Sequence, residues 1–407
     1  VLRAADLVVE ENGVAPNYSS IQAAVTAASP GDRIFVKNKA ALVPYQESVT
    51  IDKPIALLPF TSNGQFFVLG TYTIIPNAGN FSASKDTVRI IGMANQNGSI
   101  SATSNNTSGN PVRLELMGNE LTSGSISITG TGLVSKVAGN WIKAGSISTR
   151  EADIIGNLVA GEIVVFDVTT PSDPARDTLY IVGNRLATDS GGSSFGSIVW
   201  NNDGHYLYIA NNWVRSADAD GLIRINAMKI GTSPNQNVNN SVEGIAGTNN
   251  DGIFIAWPIP AGLILLIENN LLHNEGGSST ERGIRFVNAS PSSTVLMNYN
   301  VHEGWTELSN APGEVSQTGN VQAGSTMNPD NVTGVCPTSA CVNVGNPDPK
   351  YTDHDLSRND CGVGGGSYRY TNFWPIQTGG ARVHFLRTPS TVSQGNPLTA
   401  EGEAFDR

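Results

Sequence analysis

Leu179-Tyr-Ile-Val-Gly-Asn184, Tyr206-Leu-Tyr-Ile-Ala-Asn-Asn212 and Leu263-Ile-Leu-Leu-Ile-Glu-Asn-Asn270 share one pattern: a short β-rich run, then Gly or Asn, then an asparagine. Working outward from them gives nine asparagines at coil-like intervals, most with Gly or Asn just before: Asn119, Asn140, Asn157, Asn184, Asn212, Asn240, Asn270, Asn300 and Asn320. The gaps are 21, 17, 27, 28, 28, 30, 30 and 20 residues. A self-similar period of this size marks stacked supersecondary units, and short strands divided by Gly and Asn make the units coils of a β-solenoid. Asn tolerates the left-handed backbone that a sharp corner needs. Amides stacked coil upon coil can hydrogen-bond as a ladder. Three strands per coil align in the middle of the chain. The first begins at Gly196, Gly221, Gly252 and Gly283; the second precedes each asparagine; the third follows it, at Trp213, Val242, Leu271 and Val301. With coils about 4.8 Å apart, the nine rungs span roughly 40 Å.

The 407 residues are only 14% charged, include 44 glycines and carry a net charge of −11. Binding phosphate needs clustered Lys and Arg, so a nucleic-acid partner is not expected. The longest apolar stretches, near Ile259–Ile267, hold Pro and Gly and are strand-length, so no membrane span is expected. The start, Val1-Leu-Arg, shows no signal-peptide pattern. That suits a mature secreted chain or a cytosolic one, and the composition favours a secreted or cell-surface protein. Cys336 and Cys341 enclose four residues and read as a local disulfide, which leaves Cys361 over. A zinc site would need a fourth ligand, and nearby His354 has no zinc-like spacing.

Residues 17–36 read as a helix with Ser19 as its cap and Ile21, Ala24, Val25 and Ala28 as its apolar face, stopped by Pro30-Gly31 and followed by a strand. Such a helix would cover the open end of a solenoid. Tyr45-Gln-Glu-Ser-Val-Thr-Ile-Asp-Lys-Pro-Ile follows. Residues 17–58 together resemble the N-terminal segment of the pectin-lyase-like right-handed β-helix proteins. Residues 346–366 resemble the closing segment of secreted bacterial β-helix proteins, whose Asp-x-Asp-x-Ser-Arg-Asn-Asp-x-Gly run ends the solenoid. The expected fold is therefore all-β, a right-handed parallel β-helix with an N-terminal capping helix and an irregular C-terminal closing segment. Its expected parts are 1–84, the cap and first coils; 85–325, the body; 326–380, the closing segment with the cysteines; and 381–407, two strands joined at Gly395-Asn396.

The resemblance implies substrate lying across the first-strand face and the turns that feed it. Those turns carry Asp218, Asp220, Asn249, Asn250, Asp251, Glu275, Glu281 and Arg282, and the strands would present Arg224, Phe254 and Arg285 outward. A β-eliminating lyase needs a base and a cation that stabilises the developing enolate. Arg224 or Arg285 would supply the base or stabiliser, Asp220 and Asp251 would take Ca²⁺, and Phe254, Glu281 and Arg282 would contact substrate. The same residues also read as a solvated loop face. The polygalacturonase, pectinesterase and pectate-lyase signatures are all incomplete here. A second row, Arg215, Glu243, His273 and Glu303, reads as inter-coil ion pairing. Asp353, Asp355 and Asp360 read as a Ca²⁺ site or as turn caps. Two functions remain in view. One is a secreted structural or adhesive β-helix, partnered by extracellular polysaccharide or by copies of itself and needing no cofactor. The other is a polysaccharide lyase or glycoside hydrolase.

Overall fold

The computed structural model describes residues 4–61, 64–77, 79–81, 87–103, 111–186, 196–216, 221–245, 251–310, 315–324, 327–330, 333–366, 368, 373, 382–387 and 401–405. For 276–281, 306, 382–387 and 401–405 it describes backbone alone. Each coil visits three faces. Face A is a sheet of 13 parallel strands running from Asp6–Val9 to Val315–Thr318. Face B follows the asparagine corner, as in Trp213–Ser216 and Ser241–Gly244, and face C comes next, as in Ile198–Trp200 and Ile253–Ile255. Strand Leu271–Phe286 pairs with face B at its start and face C at its end, so the two faces form one sheet of 21 strands.

The interior follows from the two-residue period of a strand. Face-C strands bury their first and third residues and turn the middle one outward. Parallel register then stacks like on like: Ile100, Ile126, Ile147, Ile163, Ile198, Ile223, Ile253 and Ile284 form one column, all fully buried. Each such side chain contributes roughly 1.5–3 kcal/mol by leaving water, and its branched β-carbon suits the pleat.

The corner between faces A and B carries the ladder. From Asn119 to Asn300, each amide nitrogen and each backbone N–H donates to the side-chain oxygen of the next asparagine, at 2.9–3.2 Å. The left-handed backbone belongs to the residue before each rung rather than to the rung itself. Gly118, Gly139, Gly156, Gly183, Asn211, Asn239, Asn269, Tyr299 and Gly319 all have φ between 53° and 67°. The rung is thus left free to turn its amide into the coil.

Helix Ile21–Ala27 packs Ile21, Ala24 and Val25 against strands Asp6–Val9, Arg33–Val36 and Val49–Ile51. Its cap is Ser20, whose Oγ accepts from Ala23 N at 3.1 Å, rather than Ser19. The Glu47 carboxylate takes the next two free N–H groups, of Ile21 and Gln22, at 2.8 and 2.9 Å. Face A also begins one strand before this helix, at Asp6–Val9, which pairs with Arg33–Val36.

Residues 333–366, with 368 and 373, do not simply end the solenoid but double back along the outside of the asparagine corner. Gly362 N donates to Asn269 O at 2.8 Å, Asn239 Nδ2 donates to Asn359 Oδ1 at 2.8 Å, and Asn211 Nδ2 donates to Gly365 O at 2.7 Å. Phe373 covers the outward apolar residues Ala138, Ile155, Val182, Ala210 and Val238. This strap explains the choice of corner residue. Asparagine stands where the strap needs hydrogen bonds. Glycine stands at 156 and 183, where an added Cβ would come within 2.7 and 2.3 Å of the Phe373 ring. Strands Arg382–Arg387 and Glu401–Phe405 pair antiparallel in a separate two-stranded sheet.

Candidate functional site

Parallel register brings Arg224, Phe254 and Arg285 into one outward row of face C. The two guanidinium carbons stand 5.6 and 4.7 Å from the Phe254 ring centre. Arg224 Nε donates to Asn226 Oδ1 at 2.9 Å, and Asn226 Nδ2 to Asn201 Oδ1 at 2.6 Å, which holds the side chain across the sheet. Asp251 is 3% exposed. One of its oxygens accepts from Arg285 Nη1 at 3.1 Å and the other from Arg282 N at 3.2 Å. Arg282 itself lies 3.4 Å from Glu307. The structure therefore gathers Arg224, Phe254, Arg285, Asp251 and Arg282 in one place. Asp218, Asp220, Asn249, Asn250 and the Glu281 side chain lie outside the described residues.

What these side chains can offer is recognition of an anionic group. A guanidinium is always charged and offers a planar fork of donors suited to carboxylates. A side chain of this kind serves poorly as a base. Both Asp251 oxygens already accept hydrogen bonds.

Face B carries the second row. Register aligns Arg215, Glu243, His273 and Glu303 across four coils. Arg215 pairs with Glu275 at 2.7 Å and lies 3.5 Å from Glu243. Glu243 Oε1 accepts from Trp213 Nε1 at 2.8 Å, and Glu303 Oε2 accepts from Met327 N at 2.8 Å. Burial pushes the Glu243 carboxyl up to about 7, against the pull of Trp213 and Arg215. Burial also lowers His273, against Glu303 and Glu275. The roles of Trp213 and Glu275 are not in the simple four-residue row. Their signal is the two-residue strand period, which puts 213, 215, 273 and 275 on one outward face.

No family model, curated protein or solved structure matches this chain. The site must therefore be read from its own geometry.

In the strap, Asp353 is buried and its oxygens accept from Gly366 N at 2.7 Å and Asp360 N at 3.1 Å. Asp355 accepts from Ser357, and Asp360 from Asn343 N at 2.7 Å. These hydrogen bonds are those of turn caps, the other reading of the three aspartates. Among the described residues, no three His, Cys, Asp or Glu side chains are grouped to hold a metal. Cys336 and Cys341 are disulfide-bonded, with Cα atoms 5.9 Å apart. Cys361 is buried as a thiol that donates to Tyr299 O at 3.1 Å. The strap also holds a polar contact that the sequence did not signal: the Tyr351 hydroxyl donates to buried Glu268, whose other oxygen accepts from Asn298 Nδ2 at 3.0 Å. Among the described residues, no helix is long and apolar enough to cross a membrane.

Proposed function

We propose that this chain is a secreted or cell-surface β-helix of structural and adhesive role, which holds an acidic extracellular polysaccharide on face C without cleaving it. The observation that carries the reading is the Phe254 ring flanked in register by the guanidinium groups of Arg224 and Arg285. Such a shelf offers an aromatic face to a sugar ring and two forks to its carboxylates. Asp251 orients Arg285 and is spent in doing so. The resemblance of residues 17–58 to pectin-lyase-like proteins supports a polysaccharide partner.

Affinity electrophoresis in gels containing polygalacturonate, alginate or a neutral glucan tests this. Retardation is expected in a uronate gel and is expected to vanish in the Arg224→Ala/Arg285→Ala double variant. Release of reducing ends from either uronate, abolished by Arg285→Ala with the fold intact, would instead make the protein a lyase or hydrolase.

A further inference from the structure

We propose that the edge where face C turns into face A carries a second ligand site, a pocket that takes one ring of a neutral sugar. Its construction begins with a change in loop length. Between strands Ile147–Thr149 and Ala152–Ile155 only Arg150 and Glu151 make the turn. One coil later the chain leaves face C at Ile163–Val165 and rejoins face A only at Thr178–Val182.

That excursion is pinned. Ser172 N donates to both Glu151 oxygens, at 3.0 and 2.9 Å, and Ser172 Oγ donates to Glu151 Oε1 at 2.5 Å. Arg176 pairs with Asp153 at 2.6 Å. Between this wall and the next turns lies a cavity of about 460 Å³ lined by Thr169, Asp203, Met228, Lys229, Ile230 and Trp257. The volume falls within the range of small-molecule sites, about 300–1,000 Å³.

The lining has two characters. Trp257 is half-buried against the core, and Ile230 is 52% exposed, so apolar groups face the opening. The charged groups on the lining are Lys229 and Asp203. Lys229 Nζ is held by Asp177 at 2.6 Å and stands 4.8 Å from the Tyr206 ring centre. Asp203 is exposed, and desolvation, then the neighbouring Asp167 charge, raise its carboxyl above the usual range.

A pyranose ring suits this arrangement. It has an apolar C–H face for an indole and a rim of hydroxyls that both donate and accept. Asp203 takes hydroxyl donors, and Thr169 and Lys229 meet the remainder. With Lys229 already paired to Asp177, an anionic ligand gains little. The pocket lies in the turns that follow the face-C strands and shares no lining residue with the Arg224, Phe254 and Arg285 row, so neither proposal depends on the other.

Titration calorimetry and saturation-transfer NMR on the full chain test this, using the methyl glycosides of glucose, galactose, mannose and N-acetylglucosamine. Saturable binding of at least one is expected. Asp203→Asn is expected to weaken it about tenfold and Trp257→Ala to abolish it. Arg224→Ala/Arg285→Ala is expected to leave it unchanged. Thermal melting of each variant separates lost binding from lost fold, and if Trp257→Ala does not fold, Asp203→Asn decides. Absence of saturable binding by all four sugars overturns the proposal, as does binding that survives Asp203→Asn. Displacement by N-acetyl-arginine amide in place of the sugars would assign the pocket to a cationic side chain and also overturn it.

Discussion

Single residues in this protein carry unequal loads. Asn212 is fully buried and donates to Asn240 and to Ile181 O while accepting from Asn184. Replacing it by Ala orphans several buried groups and should cost about 3 kcal/mol in urea unfolding. Asn320, the last rung, is partly exposed, so Asn320→Ala should cost well under half of that. Two buried titrating groups oppose each other. The folded Glu243 carboxyl is pushed up to about 7 from near 4.5, so its proton is held by the native state and released by the unfolded chain. Stability is therefore lost as pH rises from about 4.5 to about 7. His205, held neutral by burial and then by Arg176, is lowered to about 4 from 6.5, so stability is lost as pH falls from about 6.5 to about 4. In the wild type the two slopes largely cancel across their overlap. Glu243→Gln should leave stability near the wild-type value at pH 4 and raise it by about 1–3 kcal/mol at pH 8. A variant that melts at the wild-type temperature at both pH values would remove Glu243 from this account. The nine asparagines were legible because their side chains repeat at the spacing of the coil. The strained residue was misplaced by one position, because Gly-Asn and Asn-Asn pairs do not say which member turns. The acidity of Glu243 was not legible, since it depends on burial beside Trp213.

At the scale of elements, the face-C strands were readable from their Gly starts and alternating residues, and this placed Arg224, Phe254 and Arg285 in one row. Strand Asp6–Val9 was missed because only its pairing to Arg33–Val36, 27 residues on, identifies it. The strap appeared in the sequence as a shift in composition, a local disulfide and a closing-segment resemblance, none of which says where it runs. Its hydrogen bonds reach Asn269, Asn239 and Asn211 from 77 to 154 residues away, beyond any local pattern. Phe373 is its apolar anchor over the Ala138–Val238 column. Phe373→Ala should cost about 2–4 kcal/mol and increase binding of a hydrophobic dye, as the column from Ala138 to Val238 meets water. Ile198→Ala, in the interior column, should cost a similar amount without that dye signal, because the cavity it leaves is closed. Equal dye binding by the two variants would mean that the strap is not what covers the column.

Viewed whole, the 13 strands of face A make a rod roughly 60 Å long at about 4.8 Å per coil. Small-angle scattering should give the pair-distance profile of an elongated particle. Val315–Thr318 pairs with Thr294–Asn298 on one side and has no strand partner on the other among the described residues. We propose that copies associate through this edge, where a heterologous contact would build an open filament. Sedimentation should then show mass rising with concentration, and Gln317→Pro should suppress it. A particle of constant monomer mass would end that proposal.

The strap has a consequence for ancestry. Solenoids ordinarily lengthen and shorten by duplicating or losing a repeat, because each repeat touches only its neighbours. Here one continuous segment must meet Asn211, Asn239, Asn269 and Tyr299 at fixed spacing. Gain or loss of a coil between residues 183 and 299 would put every later clasp out of step. This stretch should therefore keep its repeat number through descent, while coils outside it remain free to vary.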